Sequence, residues 1–261
     1  MAKSPDIGCR SCGIASCAGA QLAHGEHATT VALAGNPNVG KTSVFNALTG
    51  LRQHTGNWPG KTVARAEGSF AHNGRMFCVI DLPGTYSLSA RSAEEEVARD
   101  FICFGRPEVT VVVVDATALE RNLNLALQTA EITERLIVCV NLLDEAKRKK
   151  ITVDLDGLAA ELGVPVVGTV ARAKRGINEL KDLIDEVASG RLVPKPRMVE
   201  YSEEIERQVA ELVPRIASLV GNALPARWVA LRLLEGDRTI LPRAVAHAKE
   251  INASPVPAET T

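Results

Sequence analysis

The sequence predicts an α/β fold, a doubly wound and mostly parallel sheet with helices on both faces, followed by a small all-helical domain. Three observations carry this. Short apolar runs rich in Val, Ile, Leu and Ala alternate with helical periodicity as far as Ala188. A glycine-rich octet stands between the first apolar run and the first helical stretch. Beyond Gly190–Pro196, punctuated by Pro and Gly, the strand signal stops and only helical periodicity continues.

Residues 1–28 carry Gly, Ala, Ser, Cys and His without sustained periodicity and read as a mobile tail. Thr29–Ala34 reads as a strand ending at Gly35, and a helix opens at Lys41 with Val44, Phe45, Ala47 and Leu48 on its apolar side. Residues 51–65, with Gly56, Pro59 and Gly60, read as a long loop. Ala66–Phe70 and Arg75–Asp81 flank His72-Asn73-Gly74, a hairpin signal. Then come a helix over Ala93–Phe104, a strand at Val109–Asp115, a helix at Leu119–Glu134 and a strand at Leu136–Asn141. Short helical pieces run to Leu162, followed by a strand at Val164–Thr169 and a helix at Asn178–Ala188. Ser202–Val220, Ala226–Leu234 and Arg238–Ile251 are the later helices. The expected division is a tail (1–28), a nucleotide domain (29–190), a linker and helical domain (191–252) and a second tail (253–261).

With 261 residues, nearly half of them apolar, the chain can bury a full α/β core beside a smaller module. Its net charge of −1 offers no basic excess for nucleic acid. Its longest apolar runs, such as Val111–Val114, fall far short of the ~20 residues that span a bilayer. The chain as given reads as a soluble, cytoplasm-type polypeptide. Cys78, Cys103 and Cys139 lie in apolar stretches and read as buried thiols of a reducing compartment.

Gly35-Asn36-Pro37-Asn38-Val39-Gly40-Lys41-Thr42, with Ser43 next, matches the phosphate-loop pattern in the required strand–loop–helix context. Successive backbone N–H groups and a helix N-terminus make a concave positive site for a β-phosphate. Lys41 suits the β- and γ-phosphates, and the Thr42 hydroxyl suits Mg²⁺. Asp81-Leu82-Pro83-Gly84 ends a strand; its Asp can hold Mg²⁺ through water and the Gly84 N–H can sense a γ-phosphate. Asn141-Leu142-Leu143-Asp144 selects the base, because the Asp144 carboxylate can accept from the N1–H and N2–H₂ edge of guanine, a donor pair adenine lacks. Thr169-Val170-Ala171 ends the next strand, where a backbone N–H can meet guanine O6. Together these predict a phosphate-loop GTPase domain that takes GTP and GDP.

Gly35–Gly50, Gly56–Val63, Asp81–Leu88 and Asn141–Asp144 resemble the cytosolic G domain of the FeoB family of bacterial ferrous-iron transporters. Pro225–Asp237 resembles the helical, GDI-like domain of that family. The resemblance covers most of residues 29–252. It implies that Gly56–Val63 is switch I, that Thr62 contacts Mg²⁺ in the GTP state, and that Asp81–Leu88 begins switch II. It implies that the Asn38 side chain helps bind K⁺ where other GTPases use an arginine finger, and that Asn38, Lys41, Thr62 and Gly84 serve hydrolysis. It implies too that the partner is the transmembrane part of the same transporter, at the cytoplasmic face of the inner membrane, with a homo-oligomer left open.

Four departures sharpen the expectations. Thr85 stands where Ras-like enzymes place a water-orienting Gln, which predicts slow turnover. Leu142 replaces the Lys common in the base motif, and Val170 a Ser often found in the last base loop, which loosens guanine selectivity. Lys61 stands where relatives carry a small apolar residue and reads as a solvated switch-loop charge. Cys9, Cys12 and Cys17, followed by His24 and His27, are candidate Zn²⁺ or iron ligands. One pair plus scattered candidates is only part of a metal signature, so the pattern favours a thiol-bearing tail. A ribosome-assembly GTPase would carry a basic appendage, and an ATPase or kinase would lack Asn141–Asp144.

Overall fold

The computed structural model describes residues 28–50 and 53–253. The chain forms two compact units, one running to Met198 and one from Val199. The candidate metal ligands Cys9, Cys12, Cys17, His24 and His27 lie outside the described residues.

The first unit is built on a seven-stranded sheet: β1 (Thr29–Gly35), β2 (Gln53–Asn57), β3 (Ala64–His72), β4 (Arg75–Asp81), β5 (Val109–Asp115), β6 (Leu136–Asn141) and β7 (Val166–Gly168). The strand order is β2-β3-β4-β1-β5-β6-β7. β4, β1, β5, β6 and β7 run parallel, and β3 and β2 add an antiparallel flank. The runs Val109–Val114, apolar but for Thr110, and Leu136–Val140 are buried throughout, as strands covered on both faces must be. On β1 the alternation is visible: Val31 and Leu33 join the cluster that holds Phe45 of α1 (Lys41–Thr49) and Ile184 of α6 (Ile177–Ala188). α2 (Ala93–Phe104) and α3 (Leu119–Ala130) contact β1 and β5, while α4 (Leu143–Arg148) and α5 (Leu155–Leu162) join β6 to β7. Asn73 and Gly74 both hold positive φ, 48° and 78°, the backbone a tight hairpin between β3 and β4 requires.

The stretch expected as a loop, residues 51–65, instead contains β2. Its residues His54–Asn57 are exposed, so this edge strand carries no apolar alternation to betray it. The punctuated segment after α6 stays with the first unit, where Lys195 and Arg197 donate backbone N–H groups to the Gly163 and Leu162 carbonyls.

The second unit holds α7 (Glu203–Val220), α8 (Ala226–Leu234) and α9 (Ile240–Ala253) around buried Ile216, Trp228, Val229 and Ala244. Arg227 of α8 donates to both oxygens of Glu206 and to the Val199 carbonyl, fixing the entry to α7. Cys103 and Cys139 are buried and not disulfide-bonded, as expected. Cys78 is buried but disulfide-bonded, which overturns the thiol reading there. Among the described residues no helix is long and apolar enough to cross a membrane.

Candidate functional site

The glycine-rich octet wraps the C-terminal end of β1 and feeds straight into α1. Gly40 caps α1 with φ 80°, and a Cβ there would lie 2.4 Å from the Asn141 amide nitrogen, so only glycine fits. Asn38 is also left-handed, at φ 67°, and its side chain is exposed. Asn36 is buried, with both side-chain polar atoms unpaired. Thr42 is exposed and Ser43 half-exposed on the first turn of α1.

β4 lies beside β1, and this register brings Asp81 to the octet. The Lys41 ammonium is hydrogen-bonded to the Asp81 carboxylate. Burial raises the Asp81 pKa, against the pull of Lys41 toward the charged form. Gly84 lies beside Pro37, whose Cα a side chain at 84 would meet at 3.3 Å. The Thr85 N–H donates to the Gly35 carbonyl at 3.2 Å, tying the Asp81–Leu88 segment to the octet. Thr85 is buried, and its hydroxyl donates to the Ser87 carbonyl at 2.7 Å. It is committed to its own turn.

The base side is organised by Asn141. Its amide donates to the Val39 carbonyl at 3.0 Å, and its Oδ1 accepts from the Thr169 hydroxyl and the Ala171 N–H, each at 3.1 Å. The octet, the end of β6 and the Thr169–Ala171 turn are thereby held as one piece. Beside them opens a cavity of about 210 Å³ lined by Asn38, Gly40, Ser43, Leu142, Asp144, Val170 and Ala171, among others. Leu142, in left-handed backbone at φ 65°, ends β6 and starts α4, which sets Asp144 on the first turn of that helix. The cavity wall also includes Asp115, Thr117, Lys149 and Arg172, which the motifs did not single out. Only Asp115 left a trace in the sequence, as the last residue of a strand facing the ligand edge of the sheet.

Thr62 stands apart from the cavity lining. It is exposed on the turn after β2, closed by the Trp58 N–H donating to the Val63 carbonyl at 2.9 Å, and it does not line the cavity. Trp58 is buried edge-on against Phe101 of α2 with centroids 5.5 Å apart, and the Arg65 guanidinium lies over its ring. Lys61 pairs with Glu96 of α2 at 2.5 Å, so it is not the solvated charge its neighbours suggested. Segment and helix are latched.

Comparison with known proteins places this architecture. Residues 29–184 match the family model for ferrous iron transport protein B, and residues 201–254 match that for the FeoB cytosolic helical domain. The chain belongs to the FeoB family. It is 42% identical over 216 residues to the Fe(2+) transport protein A/Fe(2+) transporter FeoB fusion protein of Porphyromonas gingivalis, covering 81% of this chain and 26% of that protein. It is 41% identical over 215 residues to the Fe(2+) transporter FeoB of Escherichia coli K12, covering 80% and 27%. The chain thus spans about a quarter of the length of these FeoB relatives. The cytosolic domain of T. maritima FeoB in its apo form superposes with a TM-score of 0.76 at 36% identity, covering 89% of this chain and 90% of that one. Its GMPPNP form gives 0.75 or better as well, with a TM-score of 0.76 at 35% identity over 88% of each chain. The fold is that of a phosphate-loop GTPase followed by the FeoB helical domain.

Proposed function

We propose that this chain is the cytosolic part of a ferrous iron transporter that binds GTP and hydrolyses it slowly, its nucleotide state regulating or driving Fe²⁺ uptake through a membrane-spanning partner segment at the inner membrane. The observation that carries the reading is the Asn141 hub, which locks the octet, the end of β6 and the Thr169–Ala171 turn beside one cavity. Gly35–Thr42 and Ser43 cradle the phosphates through backbone N–H groups, and Lys41 leaves Asp81 to bridge the β- and γ-phosphates. Asp144 takes the N1–H and N2–H₂ edge of guanine, Leu142 covers the base face, and the Val170–Ala171 backbone meets O6.

The residues fit Mg²⁺. Thr42 and Asp81 offer hard oxygen donors next to Lys41, the first by its place in the chain and the second by its hydrogen bond to the Lys41 ammonium. Thr62 joins them when switch I leaves α2. Asn38 fits K⁺, since its exposed amide offers a neutral oxygen at the phosphate end of the cavity. When bound, the two cations supply positive charge against the β- and γ-phosphate oxygens. The Gly84 N–H faces the γ-phosphate. The Thr85 hydroxyl is held by Ser87 and does not orient the attacking water, and the intrinsic rate is therefore low.

Phosphate release measured in matched K⁺ and Na⁺ buffers tests this reading. Faster release in K⁺, lost in Asn38→Ala, supports it; equal rates in both salts remove the K⁺ role, and no release of phosphate from GTP removes the GTPase.

A further inference from the structure

The cavity wall contains a cation that the base motif lacks. In many GTPases the residue at position 142 is a lysine, and here it is Leu142, which brings no charge. Seven residues on, at the C-terminal end of α4, Lys149 returns an ammonium to the same cavity that Leu142 lines. Its Nζ donates to the Thr117 hydroxyl at 3.3 Å. Thr117 in turn is fixed by its N–H, which donates to Asp115 Oδ1 at 2.7 Å, and the adjacent Ala116 N–H donates to the Asn141 carbonyl at 2.9 Å. Lys149 is thereby linked to the segment after β5, and both line the cavity.

Strand order says what part of a nucleotide lies there. The sheet runs β1-β5-β6-β7 on this side. The phosphate octet follows β1, and the residues facing the base follow β6 and β7. β5 lies between them, and in every nucleotide the sugar joins phosphate to base. The segment after β5 must therefore face the sugar.

We propose that Lys149, braced by Thr117, is a specificity-determining residue that donates to the ribose hydroxyls of a bound guanine nucleotide. It takes over in this chain the charged contact that Leu142 cannot make. The inference rests on the nucleotide reading of the cavity. A sugar oxygen is neutral, so the contact discriminates by hydrogen bonding, with Asp115 and Thr117 available to accept from the hydroxyls. Arg172 lines the cavity from the turn after β7, on the base side, and has no part in this contact.

Isothermal titration of the full chain with GDP, 2′-deoxy-GDP and 3′-deoxy-GDP tests it. The wild-type protein is expected to bind GDP roughly tenfold more tightly than at least one deoxy analogue, the scale of one hydrogen bond from a charged group. Lys149→Ala should bind GDP about tenfold more weakly and remove that preference, and Thr117→Val should move in the same direction. Arg172→Ala should keep the preference whatever it does to affinity. Lys149→Ala with undiminished GDP affinity, or with an equal loss for all three ligands, overturns the proposal. Failure of the wild-type protein to bind GDP at all would instead refute the nucleotide reading beneath it.

Discussion

Asn141 and Val39, 102 positions apart in the chain, meet in a 3.0 Å hydrogen bond from the Asn141 amide to the Val39 carbonyl. The same side chain accepts from Thr169 and Ala171, and Asn141 is 1% exposed. Asn141→Ala would strand three buried polar partners, costing about 3 kcal/mol at about 1 kcal/mol for each lost bond. It should lower the midpoint of urea unfolding and weaken GDP binding together, as read by urea titration and calorimetry. Weak binding with full stability would show that the hub does not hold the fold.

Asp81 should be a residue that costs stability. Its pKa is raised by burial, so the folded protein binds its proton more tightly than the unfolded chain does. The penalty for the charged form is present above the folded pKa and is relieved as pH falls through it toward the unfolded value of 3.8. Asp81→Asn should therefore raise the Tm of the nucleotide-free protein at pH 7 while weakening Mg²⁺-dependent hydrolysis. The gain should shrink on acidification. A lower Tm at pH 7 would mean that the ion pair with Lys41 outweighs desolvation.

Trp58 is a built-in reporter of the contact between the Gly56–Val63 segment and α2, because it packs against Phe101 and beneath Arg65. The chain has 2 tryptophans, and Trp228 is buried in the helical unit. In a Trp228→Phe background, GMPPNP with Mg²⁺ should shift the emission of Trp58 toward the red, while GDP leaves it in place. Lys61→Ala, which removes the pair with Glu96, should lower the concentration of GMPPNP needed. An unchanged spectrum at saturating GMPPNP would show that the Gly56–Val63 segment stays on α2.

The helical unit carries its own acid sensitivity. The Arg227 guanidinium, helped by the Tyr201 N–H, pulls the Glu206 pKa from 4.5 down to about 2. A depressed carboxyl pKa stabilises the fold above the unfolded value, and that contribution is lost as pH falls from 4.5 toward about 2. Glu206→Gln should destabilise the unit at pH 7, less so in high salt because the pair is solvent-screened, and should match wild type near pH 2. Thermal melts followed by circular dichroism at the two pH values check this.

The octet, Asp81–Gly84, Asn141–Asp144 and Thr169–Ala171 were legible because each sits at the C-terminal end of a buried parallel strand, where apolar residues mark the strand and polar residues mark its end. α2 and α8 fall where their periodicity places them, at Ala93–Phe104 and Ala226–Leu234. β2 was not legible, since an exposed edge strand needs only backbone pairing and His54-Thr55-Gly56-Asn57 gives no alternation. Lys61 read as a solvated charge, and Lys149 drew no reading at all, for a related reason. Their partners, Glu96 and Thr117, lie 35 and 32 positions away, and only the fold brings them together.

A guanine site read by Asp144 can be probed by titrating the chain with GDP, ADP and XDP before and after Asp144→Asn. Two charge-assisted hydrogen bonds are at stake, so the substitution should cost GDP roughly 100-fold in affinity and raise that for XDP. ADP should bind weakly to both proteins. An Asp144→Asn protein that still prefers GDP, or a wild-type protein that binds ADP as tightly as GDP, would contradict the account.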